Sequence, residues 1–397
     1  MNAKKLNTVD YDEDKKGFYN VGFLSSYDAF AAKAYELFSK GKTENYAFSP
    51  LSAYFALVTL YECAEDIVKR ELEEFFDLSP EDISKSGAFM KDLIRVPIGG
   101  DEFDVSRLDI VNSIWFNEGE EVEPEGLRLL AEKLYCQAFE TPFKKENKQA
   151  NEAIKAFVKE KTHGLINKDF GLDESTIVAI LNALYLKDLW RHSPLYVEEG
   201  KFFASGKELI KEFAYCKYEH GVMQSTEVSD YFWAKTQKNY AVIFILPKKG
   251  KTLREAMGRE NLYNVMKGEI APADFLDESS GREVLNYTRC IFPKFEISSS
   301  TDLKEKLVAN GYLATTFEGF SSSVIKKPLK VDAIKQDVVL KVDDKGVEGA
   351  AVTVIKMVDS GCMPIMKRYH DFLVDRDFGF IITDYKDTAL FIGQYTE

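Results

Sequence analysis

The sequence predicts a mixed α/β fold built as a single unit. The chain runs 397 residues without a linker, a repeat or a low-complexity segment, and a hydrophobic content of 45% is enough for a large core. Segments with helical period and segments with strand period both occur along it. One run, residues 175–190, is apolar on both parities, the pattern of a strand covered on both faces.

Residues 1 to about 20 are charged and read as a loosely held tail ahead of one domain spanning 21–397. An amphipathic helix is expected from Ser25 or Ser26 to about Gly41, with Phe30, Ala34, Leu37 and Phe38 along one stripe. In residues 45–64 a short apolar strand leads into a helix, with Ser49 as N-cap and Pro50 at the first helical position. Residues 66–77, 123–138 and 147–160 read as helices; 108–117 and 240–247 read as strands.

The stretch 341–364, KVDDKGVEGAAVTVIKMVDSGCMP, closes a strand in which Val338, Leu340 and Val342 alternate with Val339, Lys341 and Asp343. A run of small residues follows, then strand-like residues, then a turn. Side chains alternate faces along a strand. One face would carry Val347, Gly349, Ala351, Thr353 and Ile355 and no charge. The other would carry Glu348 and Lys356. From the pattern alone such a segment reads first as an ordinary half-buried edge strand, and it could also bury one face completely if it joined a sheet.

A net charge of −13 argues against nucleic acid or another polyanion as partner, since phosphate binding needs a basic face. The basic runs Lys248, Lys249, Lys251 and Lys326, Lys327, Lys330 read as solvated surface. Five cysteines, Cys63, Cys136, Cys216, Cys290 and Cys362, stand far apart, which excludes the usual zinc spacings and argues against a disulfide framework. The four histidines (His163, His192, His220, His370) have no metal-ligand spacing, and no nucleophile elbow occurs. Gly250-Lys251-Thr252 lacks the first glycine of a phosphate loop. No cofactor, metal or catalytic set is predicted, and an unrecognised hydrolase is the alternative from another class. No run is long enough to span a membrane. The polar N-terminus has no apolar export core, which leaves open an intracellular protein or an exported one without its leader.

Several stretches resemble the serpin family, of the inhibitory, bacterial-like type, in the family's own order over about residues 24–395. Residues 343–353 look like the hinge of a serpin reactive-centre loop. The Ser-Pro-x-Ser at 49–52, the Asn-x-x-aromatic at Asn112 and Trp115, and Thr162-His163-Gly164 after a helix all fit. So does the more specific set Asn182, Ala183, Tyr185, Lys187 and Trp190. Pro293-Lys294-Phe295 and the C-terminal hairpin resemble the family too, with Asp377 where a proline is common.

The resemblance implies three β-sheets, about nine α-helices and an exposed loop at roughly 345–368. It implies a hinge of Asp344, Gly346, Val347, Glu348, Gly349, Ala350, Ala351 and Thr353, with Gly349 departing from the usual alanine. A hydrogen-bonded cluster under the central sheet is implied at Ser49, Ser52, Asn182 and, in place of the family's histidine, Gln336. Contacts at the top of the sheet are implied among Trp190, Lys294 and Asp344. Loop length puts the reactive bond at Ser360-Gly361, with Met357 or Val358 as alternatives if the register slips. The function implied is inhibition of a serine protease, elastase- or subtilisin-like, which ends in a covalent complex with the protease. The inhibitor would be a monomer able to polymerise by loop–sheet insertion. A carrier or chaperone that does not inhibit is the alternative within the family.

Overall fold

The computed structural model describes residues 3–9, 19–95, 106–192, 194, 196–219, 223–268, 285–312, 321–326, 328, 334–347 and 367–397. Three sheets organise them. The central one has seven strands in the order Lys4–Lys5, Gln137–Thr141, Arg107–Asn117, Val178–Leu189, Gly346–Val347, Lys335–Val342, Phe295–Asp302. The second has six, from Tyr46–Phe48 through Ala389–Tyr395, Phe378–Thr383, Ala241–Pro247 and Ser229–Lys235 to Gln224–Ser225. The third has four: Lys367–Leu373, Leu285–Pro293, Lys207–Glu219 and Val197–Ala204.

The helix Pro50–Cys63 is buried along nearly its whole surface because it packs against the central strand Val178–Leu189 and, on its other side, Ala389–Tyr395 of the second sheet. A helix between two sheets has no wet face and shows no apolar stripe. Its start is fixed as the sequence predicts: Ser49 Oγ accepts the Ser52 N–H at 3.1 Å, and Pro50 opens the helix. On the opposite face of Val178–Leu189 lies the helix Asn147–Lys161. It encloses a second, smaller core around Trp115, Phe139, Phe157, Ala179 and Leu181. One strand therefore faces two cores, which accounts for the double apolar parity of 175–190.

Some expectations need correction. The first helix runs Val21–Ser39 and is capped by Asn20, whose side chain accepts the Phe23 N–H. The sequence expectation took a serine four or more residues too late. The helix expected over 123–138 is Pro124–Leu134; Tyr135 turns left-handed at φ 51° and Gln137–Thr141 starts a strand. The tail is held where it is described. Lys4–Lys5 pairs antiparallel with Gln137–Thr141. Asn7 donates to the Leu127 and Cys136 carbonyls and accepts the Ala138 N–H at 2.8 Å. An unpaired sheet edge offers backbone partners that a charged segment can still use.

Most of the third sheet escapes the sequence reading because Val197–Ala204 and Lys207–Glu219 carry many charges. Their hairpin turns on Ser205 and Gly206, both at positive φ, where glycine is favoured. Asp377, standing where the family commonly has proline, accepts the Ser205 N–H.

Two carboxyls are buried where the first helix meets the second sheet. Asp28 pairs with Lys267 at 3.1 Å, and Asp384 accepts the Lys386 and Thr388 N–H groups at 2.8 Å. One oxygen of each has no hydrogen-bond partner among the described residues. Burial pushes Asp28 up to about 7, with Asp384 adding to the rise, and pushes Asp384 up to about 6. The folded chain thus holds these protons more tightly than the unfolded chain. Their contribution is full below the ordinary carboxyl range and is lost as the pH rises from there through the folded pKa values. The melting temperature is expected to fall as the pH goes from 5.5 to 8. The double replacement Asp28→Asn, Asp384→Asn should flatten that slope; a parent slope of zero or of opposite sign refutes this.

Candidate functional site: the hinge between two parallel strands

Val178–Leu189 and Lys335–Val342 run in the same direction at the middle of the central sheet. Among the described residues they are not paired with each other. Gly346–Val347 lies between them, antiparallel to both: Gly346 opposes Leu189, and Val347 opposes Asp188 on one side and Val342 on the other. Val347 is buried in the main core.

A short turn, Asp343 to Lys345, reverses the chain. The Asp343 carboxylate accepts the Lys345 N–H at 2.8 Å and the Gly346 N–H at 3.3 Å, the local bonding aspartate favours in turns. Trp190 grips the same turn twice. Its indole N–H donates to the Asp343 carbonyl at 2.8 Å, and its backbone N–H donates to the Lys345 carbonyl at 3.0 Å. Gly346 is required by space, since a Cβ there would fall 2.0 Å from the Asp188 carbonyl oxygen. Asp188 itself is fully buried and accepts hydrogen bonds from Ser106 Oγ, the Leu189 N–H and the Lys238 N–H. Sequence reasoning passed over Asp188, and it placed Asp343 at the start of the hinge without giving its side chain a role. The signal for Asp188 was its place between Lys187 and Trp190.

Trp190, Lys294 and Asp344 are brought together at the top of the sheet. Lys294 Nζ lies 3.5 Å from Asp344 and 2.9 Å from Glu212. Glu212 is the main cause holding the Lys294 ammonium above its ordinary range. All three side chains are partly exposed, so each pair contributes about 0–1 kcal/mol. The neighbouring Trp190 ring packs on Phe292 with centroids 5.2 Å apart.

Beneath the sheet, Ser49, Ser52 and Gln336 meet in a different pattern from a ring of side chains. Gln336 bonds the backbone of Ser49 twice: its Oε1 accepts the Ser49 N–H at 2.9 Å, and its Nε2 donates to the Ser49 carbonyl at 2.8 Å. Ser49 Oγ donates to the Leu390 carbonyl at 2.8 Å, and Ser52 Oγ to the backbone carbonyl of Asn182 at 3.3 Å. The Asn182 amide is the exception, because both its nitrogen and its oxygen are buried without a hydrogen-bond partner among the described residues.

Glu348, Gly349, Ala350, Ala351, Thr353, Lys356, Met357, Val358, Ser360 and Gly361 lie outside the described residues. The chain resumes at Lys367–Leu373, which pairs in parallel with Leu285–Pro293 in the third sheet. Arg289 and Asp371, directly opposed there, form a two-pronged ion pair at 2.6 and 2.7 Å. The segment 348–366 thus joins two different sheets. Among the described residues no cluster of three or more metal-ligating side chains occurs, and no helix is long and apolar enough to cross a membrane.

Comparison with known proteins accords with this arrangement. Residues 25–397 match the family described as Serpin (serine protease inhibitor), and the chain belongs to that family. An uncharacterised serpin-like protein of Thermococcus kodakarensis is 25% identical, with 98% of this chain and 88% of that one covered. Serpin A3-7 of Bos taurus is 27% identical, covering 89% and 85%. The native state of Tengpin, a thermophilic serpin, superposes with a TM-score of 0.80 at 22% identity, covering 99% of this chain and all of that one. A thyroxine-binding globulin complexed with thyroxine superposes with a TM-score of 0.75 at 20% identity, covering 94% and 99%.

Gly346→Ala is expected to break the bridge, since the new methyl meets backbone rather than a movable side chain. The hinge turn should loosen from Trp190, with red-shifted tryptophan emission and faster proteolysis after Lys345. Emission and cleavage rates equal to the parent's would show that the close approach does not hold the hinge.

Proposed function

We propose that the protein inhibits serine proteases as a suicide substrate and is not itself an enzyme. A protease attacks the loop and forms an acyl-enzyme. The freed loop then enters the central sheet as a new strand, drawing the protease with it and distorting its active site. The observation that carries this reading is the antiparallel seat of Gly346–Val347 between two parallel strands.

Continuing that register sets out what insertion would do. Val347, Gly349, Ala351 and Thr353 would all face the main core, as Val347 already does. Glu348 would lie on the outer face between Lys187 and Lys341. Thr353 would fall opposite both Asn182 and Gln336, where the unpartnered Asn182 amide could bond its hydroxyl. Met357 would oppose Val178, the end of that strand. The new ladder would add about ten hydrogen bonds at ~1 kcal/mol each, before ordering entropy offsets part of the gain.

The same register bears on the reactive bond. Cleavage at Ser360-Gly361 leaves residues to spare beyond Val178, and Met357 or Val358 would just reach that end. Cleavage after Lys356 would stop the insert opposite Ala179, inside the sheet, so a trypsin-like enzyme is expected to find a substrate there. A small uncharged residue at the bond suits an elastase- or subtilisin-like target. The inhibitor acts as a monomer, and a loop from a second molecule could polymerise it through the same seat. The likeness to a thyroxine-binding globulin keeps a carrier as the second reading, and Gly349 would then mark a hinge not selected for insertion.

Incubation with elastase-, subtilisin- and trypsin-like proteases tests the proposal. A complex stable in denaturing gels is expected with the first two, with release between residues 357 and 361 by mass spectrometry, and the cut protein should melt well above the intact one. Cleaved product alone with every protease would overturn inhibition.

Gln336→Ala would leave the Ser49 N–H unpaired beneath the sheet and remove one of the two donors to the Ser49 carbonyl, which keeps the Ala53 N–H, a loss of about 1–3 kcal/mol. It should speed spontaneous conversion or polymerisation on gentle heating. Glutamine does not titrate, so the parent's conversion rate should vary little between pH 5.5 and 7.5, whereas Gln336→His should introduce a dependence. A tenfold change across that range that survives the Asp28→Asn, Asp384→Asn replacement would refute this role for Gln336.

A further inference from the structure

Cys216 and Cys290 are remote in sequence, yet the third sheet sets them directly opposite one another. They are register partners in the antiparallel pair of Lys207–Glu219 and Leu285–Pro293. Directly opposed residues put their side chains on the same face, and both thiols are fully buried in the main core. Opposed Cα atoms lie about 4.5 or about 5.5 Å apart according to the kind of pair. A disulfide spans Cα separations of roughly 4.4–6.8 Å, so either kind admits one. Both residues are free thiols in this structure.

We propose that Cys216 and Cys290 form a site for a cross-strand disulfide, closed when the chain folds in the presence of a disulfide oxidant and left as two thiols when it folds in a reducing medium. The chemistry is exchange with a small-molecule disulfide such as oxidised glutathione. The thiolate of one cysteine attacks a sulfur of the oxidant, breaks its S–S bond and releases one thiol. The second cysteine, as thiolate, then displaces the other half from the mixed disulfide. One S–S bond forms between the two Sγ atoms and one is lost from the oxidant. The two protein thiols give up two protons and two electrons, and the oxidant leaves as two thiols.

Timing follows from burial. Desolvation raises both thiols well above their ordinary range, with the Asp344 carboxylate adding to the effect on Cys216, and the thiolate is the reactive form. In the closed sheet the pair is therefore inert. The bond forms before the strands close over the core, or when the sheet opens, so the compartment of folding determines the state. The other buried cysteines, Cys63 and Cys136, lie near each other but on a helix end and a loop, with no strand register to align them.

The location gives the bond a consequence. Cys290 also opposes Phe372 of Lys367–Leu373, the strand that receives the chain after the loop. Cross-linking Leu285–Pro293 to Lys207–Glu219 would make the middle of the third sheet a fixed support for that strand.

Refolding the full chain in glutathione buffers, reduced and oxidised, with alkylation of remaining thiols, tests the site. The oxidised preparation is expected to be about 2 Da lighter before alkylation, to yield a Cys216–Cys290 linked peptide on digestion, and to melt several degrees higher than the reduced one. Dithiothreitol added during unfolding should abolish the difference, and Cys216→Ala and Cys290→Ala should each lack it. Peptide mapping of the parent decides the matter even if the variants fold poorly. No linked peptide, or linkage of Cys63 to Cys136 in place of this pair, overturns the assignment.

Discussion

The middle of the central sheet depends on the direction in which the chain returns after Val342. The two strands that flank this point run in parallel, so a strand laid between them can be antiparallel to both. The turn at Asp343 to Lys345 supplies that reversal, and Trp190 and the Asp343 carboxylate hold it. Register then settles the rest. A slip of one residue would carry every side chain to the other face. Val347 would leave the core, and Glu348, if the strand continued, would replace it, placing a carboxylate where no partner waits. The close fit of Gly346 against the Asp188 carbonyl opposes such a slip.

Below the hinge, Ser49 couples three layers through one residue. Its Oγ caps the buried helix and donates to the second sheet at Leu390, while its backbone is tied to Gln336 of the central sheet. A lateral shift of Lys335–Val342 therefore strains the start of the helix beneath it. On the proposed mechanism, this is where resistance to a premature strand would reside.

How far the sequence could reveal this differs by element. The strand Val178–Leu189 was legible because burial on both faces leaves a continuous apolar run. The cap at Ser49 and Pro50 was legible because capping is local chemistry. The third sheet was not, since Val197–Ala204 and Lys207–Glu219 carry adjacent charges (Glu198-Glu199, Lys211-Glu212) that break a strand's alternation, and the Ser205-Gly206 turn was a weak cue. The residues of the hinge and cluster were named by resemblance alone, and the bonding of the described ones was not legible at all. That Gln336 would reach the backbone of Ser49, and that the Asn182 amide would be left out, depends on strand spacing no motif encodes. Cysteine spacing argued against disulfides, and only register set Cys216 opposite Cys290.

The two-residue strand Lys4–Lys5 has a consequence for how the molecule meets copies of itself. An open sheet margin is the usual place for one chain to add to another. Here the margin at Gln137–Thr141 is occupied by a strand too short to be extended far, with two ammonium groups flanking it. Lys4 is ion-paired with Glu140 across the two strands at 3.3 Å, so the short strand is held to the margin by a side-chain contact as well as by backbone pairing. On the proposed mechanism, a second copy would find its strand-pairing ground in the interior of the sheet rather than at this flank, where the margin already has a partner.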